Sequence, residues 1–227
     1  MNIHAIHSNV LDSPSGTFKS RKAAIGDEPE VLAEIYDDAN NLTIWQRCLT
    51  DSKVKQTQAF LQAYPTYQRS ITVTPDNHYA GIPEVMGNFG HSDLCHDIIE
   101  VVDMFCTLFE LRRAGLRLTV LDKPMCPRFH VDRVPCRLVS TYSGVGAEWL
   151  PHDCVDRSKL GKASGGLLDE ASGLYPDANS IHKMSDGDVA LLKGELWDGN
   201  ENAGLVHRSP IPTNGQSRLV LTLDFIN

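Results

Sequence analysis

From Leu116 onward the chain breaks into short runs of aliphatic and β-branched residues, LRLTVL, RFHVD, CRLVSTY, DVALLKG and RLVLTLDFI, separated by Gly, Pro, Asp and Asn. Runs of this length and composition predict strands. Upstream the apolar period is different. DLCHDIIEVVDMFCTLFELRRA, beginning after Ser92, carries Leu94, Ile98, Val101, Val102, Phe105, Leu108 and Phe109 on one stripe, with acids in its first turns, Arg112 and Arg113 in its last and Gly115 beyond. This is the pattern of a helix whose broad apolar face must be covered by a sheet. Residues 28–39 show Val31, Leu32 and Ile35 at helical spacing, and Leu42 to Trp45 form a short β-like run. Asp51 or Ser52 can cap another helix, with Val54, Ala59, Phe60, Leu61 and Tyr64, that stops before Pro65. The first 25 residues have no apolar period, and residues 151–186 read as a loop-rich surface connection that can lid a site. The expected organisation is α+β: an irregular arm over 1–25 and one domain over 26–227. Within that domain, 26–115 gives mainly helical support and 116–227 the β core.

The totals narrow the function. A chain of 227 residues, 41% hydrophobic and 22% charged, can bury one core. With 21 Lys and Arg against 29 Asp and Glu, the net charge of -8 supplies no basic surplus, so nucleic acid is excluded as a partner. No stretch approaches the ~20 apolar residues of a membrane span, and the N-terminus lacks the basic start and apolar segment of a secretory signal. A cytoplasmic protein with no membrane partner is expected. Six cysteines (48, 95, 106, 126, 136 and 154) form no CxxC pair and are expected as reduced thiols.

His130-Val131-Asp132 lies on a strand-like run, where residues two apart share a face and can bind one metal. A His-x-Asp arises readily by chance, and His91-Ser92-Asp93 is a second. The latter sits where a helix needs an N-cap, and although Cys95 and His96 lie near enough to suggest zinc, no second ligand pair accompanies them. For the former, His207 follows Asp132 by 75 residues and Arg218 follows His207 by 11. Two imidazoles and a carboxylate on one face of an octahedral ferrous ion leave three positions open for a co-substrate and oxygen. Arg218, on the last strand, can hold a distal carboxylate with two parallel hydrogen bonds. Arg128 and Arg137 are expected as ion-pair partners, and Cys126, Cys136 and Cys154 as small buried thiols. Trp149 and Trp197 flank the long loop as pocket-rim or packing residues, and His152 and His182 are spare metal candidates on it.

In these residues the sequence resembles the iron(II)- and 2-oxoglutarate-dependent oxygenase superfamily, with its His-x-Asp, distant His and Arg about ten residues on; the match covers roughly residues 116–227. CPRFHVDRVPCRLVSTYSGVGAEWL, with the later HRSP and RLVLTLDF, is similar to a bacterial family of unknown function, DUF1826, over most of the chain. The resemblance implies a double-stranded β-helix, a cupin-like jelly-roll in the C-terminal half with the N-terminal helices packed on it. It implies Fe(II) on His130, Asp132 and His207, and 2-oxoglutarate anchored by Arg218. Tyr142 stands either as a hydrogen-bond partner of the keto acid or as core. The substrate, small molecule or protein, is not specified. One departure is Val220, where the superfamily often has Ser or Thr two residues after the Arg. Two alternatives stay open: a cupin-like protein that binds zinc or iron without catalysis, and a metal-dependent dioxygenase that does not use 2-oxoglutarate.

Overall fold

The structure is a computed structural model that describes residues 20–77, 79–212 and 215–226. The chain runs β1 (Lys22–Gly26), β2 (Asn40–Trp45), α1 (Asp51–Ala63), β3 (Gln68–Val73), α2 (Gly81–Met86) and α3 (Asp93–Leu108). It continues through β4 (Ala114–Leu121), β5 (Cys136–Ser143), β6 (Glu148–Leu150), α4 (Asp169–Ser172), β7 (His182–Lys183), β8 (Val189–Lys193), β9 (Val206–Arg208) and β10 (Arg218–Phe225). Seven strands form the main sheet in the order β1-β2-β8-β5-β10-β4-β3, and three form a small sheet, β7-β6-β9.

Strand parity explains the layers. Successive side chains point to opposite faces, so β5 sends Cys136, Leu138 and Tyr142 to one side and β10 sends Leu219, Leu221 and Leu223 there with them. The expected helix α3 packs on that side through Leu94, Ile98, Val101, Val102 and Phe105. Ser92 caps it, its Oγ accepting from Cys95 N at 3.1 Å. The opposite face of the main sheet contributes Leu42, Ile44, Val139, Ala190, Leu192 and Val220 to a second core, closed by Trp149 and Leu205 from the small sheet and its approach. The main sheet thus lies between a helical layer and the small sheet, and each fully buried aliphatic side chain in either core contributes roughly 1.5–3 kcal/mol.

The β core is not confined to the C-terminal half. Strands β1, β2 and β3 all precede residue 116 and join the main sheet. β3 escapes a periodicity argument because it is an edge strand: Gln68, Arg69 and Ser70 are exposed and carry no apolar alternation. β1 falls in the last part of the expected arm, pairing in parallel with β2; residues 1–19 of that arm lie outside the described residues. Pro29–Tyr36, expected as α-helix, is a 3-10 helix that buries Leu32 and Ile35. All six cysteines are unpaired. Among the described residues no helix is long and apolar enough to cross a membrane.

Asp97 ties these layers together. Its side chain is fully buried and accepts from Arg47 Nη1 and Nη2 at 2.8 Å each and from the Tyr142 hydroxyl at 2.8 Å, with Lys53 Nζ as a further partner. Burial alone would raise its pKa, but the bonds and charge of Arg47, with Lys53 and Tyr142, hold it below the ordinary value. A carboxylate whose folded pKa is depressed stabilises the fold above its unfolded pKa of about 4, and that contribution fades as pH falls below it. Urea unfolding at neutral pH should therefore show Asp97→Ala less stable by about 3–5 kcal/mol, because Arg47 and Lys53 lose their shared counter-charge. The same variant should show a shallower loss of stability between pH 5 and pH 2 than the parent.

Candidate metal centre

His130 and His207 are set face to face by backbone pairing. They form an isolated antiparallel bridge in which each backbone N–H donates to the other's carbonyl at 3.0 Å, and their ring centroids lie 4.6 Å apart. Asp132 reaches both: Oδ1 is 3.5 Å from His130 Nε2 and Oδ2 is 3.5 Å from His207 Nε2. One ligand atom from each residue falls within 4.8 Å of the other two. Bonds of ~2.1 Å at right angles bring ligand atoms to ~3 Å from one another, so a small inward adjustment suffices for a metal ion.

The tautomers fit as well. His130 Nδ1 lies 2.9 Å from the Arg128 carbonyl oxygen and His207 Nδ1 lies 3.2 Å from that of Leu205. A carbonyl oxygen can only accept, so each Nδ1 carries a proton; each Nε2 is then free to present its lone pair to a metal on the Asp132 side, or, with no metal there, to carry a second proton and donate to Asp132.

Asp132 is fixed from behind. Arg137 Nη1 donates to its Oδ2 at 2.7 Å, while Arg137 Nε and Nη2 donate to Asp224 at 2.7 and 3.1 Å. Burial disfavours the charged carboxylate, but hydrogen bonds to His130 and His207 and the charges of His207 and Arg137 outweigh it and hold its pKa far below the usual range. The same contact with Asp132 raises the His130 pKa against the opposing effect of burial. The backbone around Asp132 is gripped too: Glu195 N donates to the Asp132 carbonyl at 3.0 Å and Gly194 N to that of Pro135 at 2.9 Å. Gly194 permits this approach, since a Cβ there would stand 2.1 Å from the Val134 oxygen and 2.8 Å from the Asp132 oxygen.

Arg218 points into the same site. It is only 2% exposed, and with His130, His207, Arg137, Val139, Val220 and Thr222 it lines a cavity of about 90 Å³. Nη1 donates to Ser209 Oγ at 2.9 Å and Nη2 to Thr141 Oγ1 at 3.5 Å, whereas Nε has no partner. Burial lowers its pKa to about 10, with Glu148 acting in the opposite direction. Glu148 itself is committed to Arg208 at 2.7 Å and Lys183 at 3.3 Å. Arg218 thus lacks an ion-pair partner among the described residues.

Tyr142 does not belong to this cavity. Counting along β5 from Arg137, it falls on the helix-facing parity, where its hydroxyl donates to Asp97; the co-substrate role expected of it is corrected to core. Arg128 pairs with Asp169 at 2.6 Å as an ion-pair residue. Cys136 faces the helices and Cys154 is partly buried, but Cys126 is exposed and lines the cavity beside His130 and His207 rather than being a buried thiol. Trp197 packs against Tyr36 and Phe109 on the helical side. Trp149 closes the second core, with His182 stacked on it at 4.6 Å, and His152 Nδ1 lies 3.3 Å from Arg157. Neither of these histidines joins the cluster; nor do His91, Cys95 or His96, and burial pushes the Cys95 thiol up to about 11, away from a thiolate ligand. Asp224, which completes the clamp on Arg137, escaped the sequence reading, although its parity with Arg218 on β10 places it on the site face.

Gly194→Ala should push the Asp132 segment outward. Cobalt titration should show affinity reduced by about 10–100-fold, the range for disturbed ligand support, with the histidines intact. Unchanged cobalt affinity in this variant would show that Asp132 is positioned by something else.

Comparison with known proteins gives a family but no curated relative; no curated protein matches the chain. Among solved structures, a prolyl-4-hydroxylase from Pseudomonas putida is similar at 11% identity and a TM-score of 0.47, over 86% of this chain and 96% of that one. A dioxygenase for auxin oxidation from rice is similar at 10% identity and a TM-score of 0.47, over 91% and 83%. HygX from Streptomyces hygroscopicus is similar at 11% identity and a TM-score of 0.48, over 86% and 85%. Residues 26–224 match the family described as protein of unknown function DUF1826, and the chain belongs to that family.

Proposed function

We propose that this protein is an iron(II)- and 2-oxoglutarate-dependent oxygenase that hydroxylates a small molecule, built on a jelly-roll of the double-stranded β-helix type. The observation that carries the reading is Arg218: a 2% exposed guanidinium without an acid partner, its Nε free, in one cavity with His130 and His207. Leaving a buried donor unpaired costs ~1–3 kcal/mol, and more when the group is charged. A dicarboxylate that meets the metal at one end and Arg218 at the other relieves that cost.

In this reading His130, Asp132 and His207 hold ferrous iron on one side. Iron supplies the oxygen chemistry, in which one oxygen atom enters a substrate C–H bond and the other enters succinate, with release of carbon dioxide from 2-oxoglutarate. The chain's own contribution is positioning. Arg218 receives the distal carboxylate, and Ser209 and Thr141 orient the guanidinium. Leu121, Val139 and Val220 give that end an apolar wall. Thr141 is the cross-strand neighbour of Val220, so the hydroxyl that the sequence lacks two residues after Arg218 comes from β5. A ferrous centre and six unpaired cysteines suit a reducing cytoplasm, and a charge of -8 suits a small-molecule substrate better than nucleic acid.

Anaerobic protein given Fe(II) and 2-oxoglutarate should develop a visible charge-transfer band that needs both additions. Arg218→Ala should raise the 2-oxoglutarate concentration for half-maximal band by about 100-fold, the equivalent of one charge-assisted pair, while iron affinity stays nearly unchanged. His207→Ala should lose iron binding. Iron or zinc binding with no band would leave a metal-binding protein only, and a band insensitive to Arg218→Ala would remove 2-oxoglutarate from the assignment.

A further inference from the structure

The face of the main sheet that carries the metal site does not end at β10. Register places Thr119 of β4 opposite Val220 and Arg117 opposite Thr222; Gln68 and Ser70 of the edge strand β3 stand opposite Thr119 and Arg117 in turn. Strands are ~4.8 Å apart, so β4 and β3 extend the floor of the site ~10 Å sideways from β10. The second core lies at the other end of the face, over β2, β8 and β5, and Gln68, Ser70 and Arg117 are exposed. A cavity of about 460 Å³ opens between this floor and the segment after β4, lined by Gln68, Arg117, Thr119, Lys123 and others. Leu121 and Met125 line both this cavity and that of the metal centre, so the two share a wall.

Its chemistry is specific. In a chain with 29 acidic residues against 21 basic ones, Arg117 and Lys123 have no carboxylate partner among the described residues. Asp122 is the one acid in the described lining and pairs with neither. Thr119 is 4% exposed and its hydroxyl, though buried in this lining, has no hydrogen-bond partner. An orphaned buried hydroxyl costs ~1–3 kcal/mol unless something binds there. The volume falls within the ~300–1,000 Å³ of small-molecule sites.

We propose that this cleft binds the primary substrate, a small organic anion bearing a carboxylate or phosphate. Its acid group lies on Arg117 and Lys123, a polar atom meets the Thr119 hydroxyl, and the rest of the molecule passes Leu121 and Met125 toward His130 and His207. The role as substrate rests on the oxygenase reading above; the anion site itself does not.

Binding is therefore tested on the metal-free full chain, ¹⁵N-labelled, at near-physiological salt, with phenylacetate, phenyl phosphate and the neutral phenylacetamide as probes. At least one anion should shift the backbone amides of Gln68, Arg117, Thr119 and Lys123 saturably, and phenylacetamide should not. Whichever of phenylacetate and phenyl phosphate binds tighter identifies the acid group. Arg117→Gln and Lys123→Gln should each weaken that binding by about tenfold, as loss of a charged hydrogen bond predicts, whereas Arg133→Gln should leave it unchanged. Absence of saturable shifts, equal binding of phenylacetamide, or shifts confined to Ser209 and Arg218 would overturn the anion cleft. If the iron and 2-oxoglutarate band forms while these probes fail, the oxygenase stands without this cleft; if the probes bind and the band never forms, the cleft stands and the oxygenase falls.

Discussion

A period of two along β5 and β10 forces one pair of strands to serve two unlike environments, and the rest of the structure follows from that. On one parity Leu138, Tyr142, Leu219, Leu221 and Leu223 are sealed under the helices. On the other, Arg137, Thr141, Arg218, Thr222 and Asp224 share a face with Val139 and Val220. A slip of one residue would drive Arg137 of β5, or Arg218 of β10, into the helical core and expose leucines to the cavity. The apolar parity therefore fixes the register, and the register in turn fixes where the charges of the site can stand.

Those charges are treated unequally. Arg137 is satisfied twice, by Asp132 and by Asp224 directly across from it on β10, which makes it a strut that holds a carboxylate in place. Arg218 donates to the hydroxyls of Ser209 and Thr141 and keeps an unsatisfied Nε in a buried place. Desolvation of a lone guanidinium is costly, and the depressed pKa of Arg218 is its direct expression. Asp97 shows the contrasting solution, one buried carboxylate shared by two cations and a phenol. The fold thus closes the charge of Asp97 on the helical side and leaves that of Arg218 open on the face that carries His130 and His207.

How far this could be read in the sequence depends on which residues carry local pattern. His130, Asp132, His207 and Arg218 stood out because their residue types suit a metal site with an acid anchor and the strand period puts His130 and Asp132 on one face; the structure gathers the first three within 4.8 Å of one another and lines one cavity with His130, His207 and Arg218. α3 was legible from its apolar stripe and its Ser92 cap. For Tyr142 two roles stood open because membership of a strand was known but not its face, and only the structure shows that it shares parity with Leu138 and meets Asp97. β1 and β3 were missed for a different reason. Edge strands have one row of partners and one exposed row, so Gln68-Arg69-Ser70 carries no hydrophobic alternation to read. Asp224 and the Arg137 clamp depend on a contact 87 residues apart in sequence, which no local pattern encodes.

The missed edge has consequences for the site. On one side the cluster of His130, Asp132 and His207 is held in place: the His130 and His207 backbones exchange two hydrogen bonds, and Gly194 lets the Asp132 segment press against the end of β8. Neither grip can loosen without losing ladder hydrogen bonds in a buried place. On the other side, β4 and β3 continue the floor with exposed polar side chains and no covering sheet among the described residues. The site is thus clamped on one flank and open on the other. The two cations on that open flank, Arg117 and Lys123, have no ion-pair partner among the described residues. Electrostatic focusing into a cleft with low-dielectric walls favours anions even when the net charge of the protein repels them. The cations themselves stand on β4 and the segment after it; the edge strand that local pattern could not reveal sets Gln68 and Ser70 beside β4 and completes the floor of the cleft.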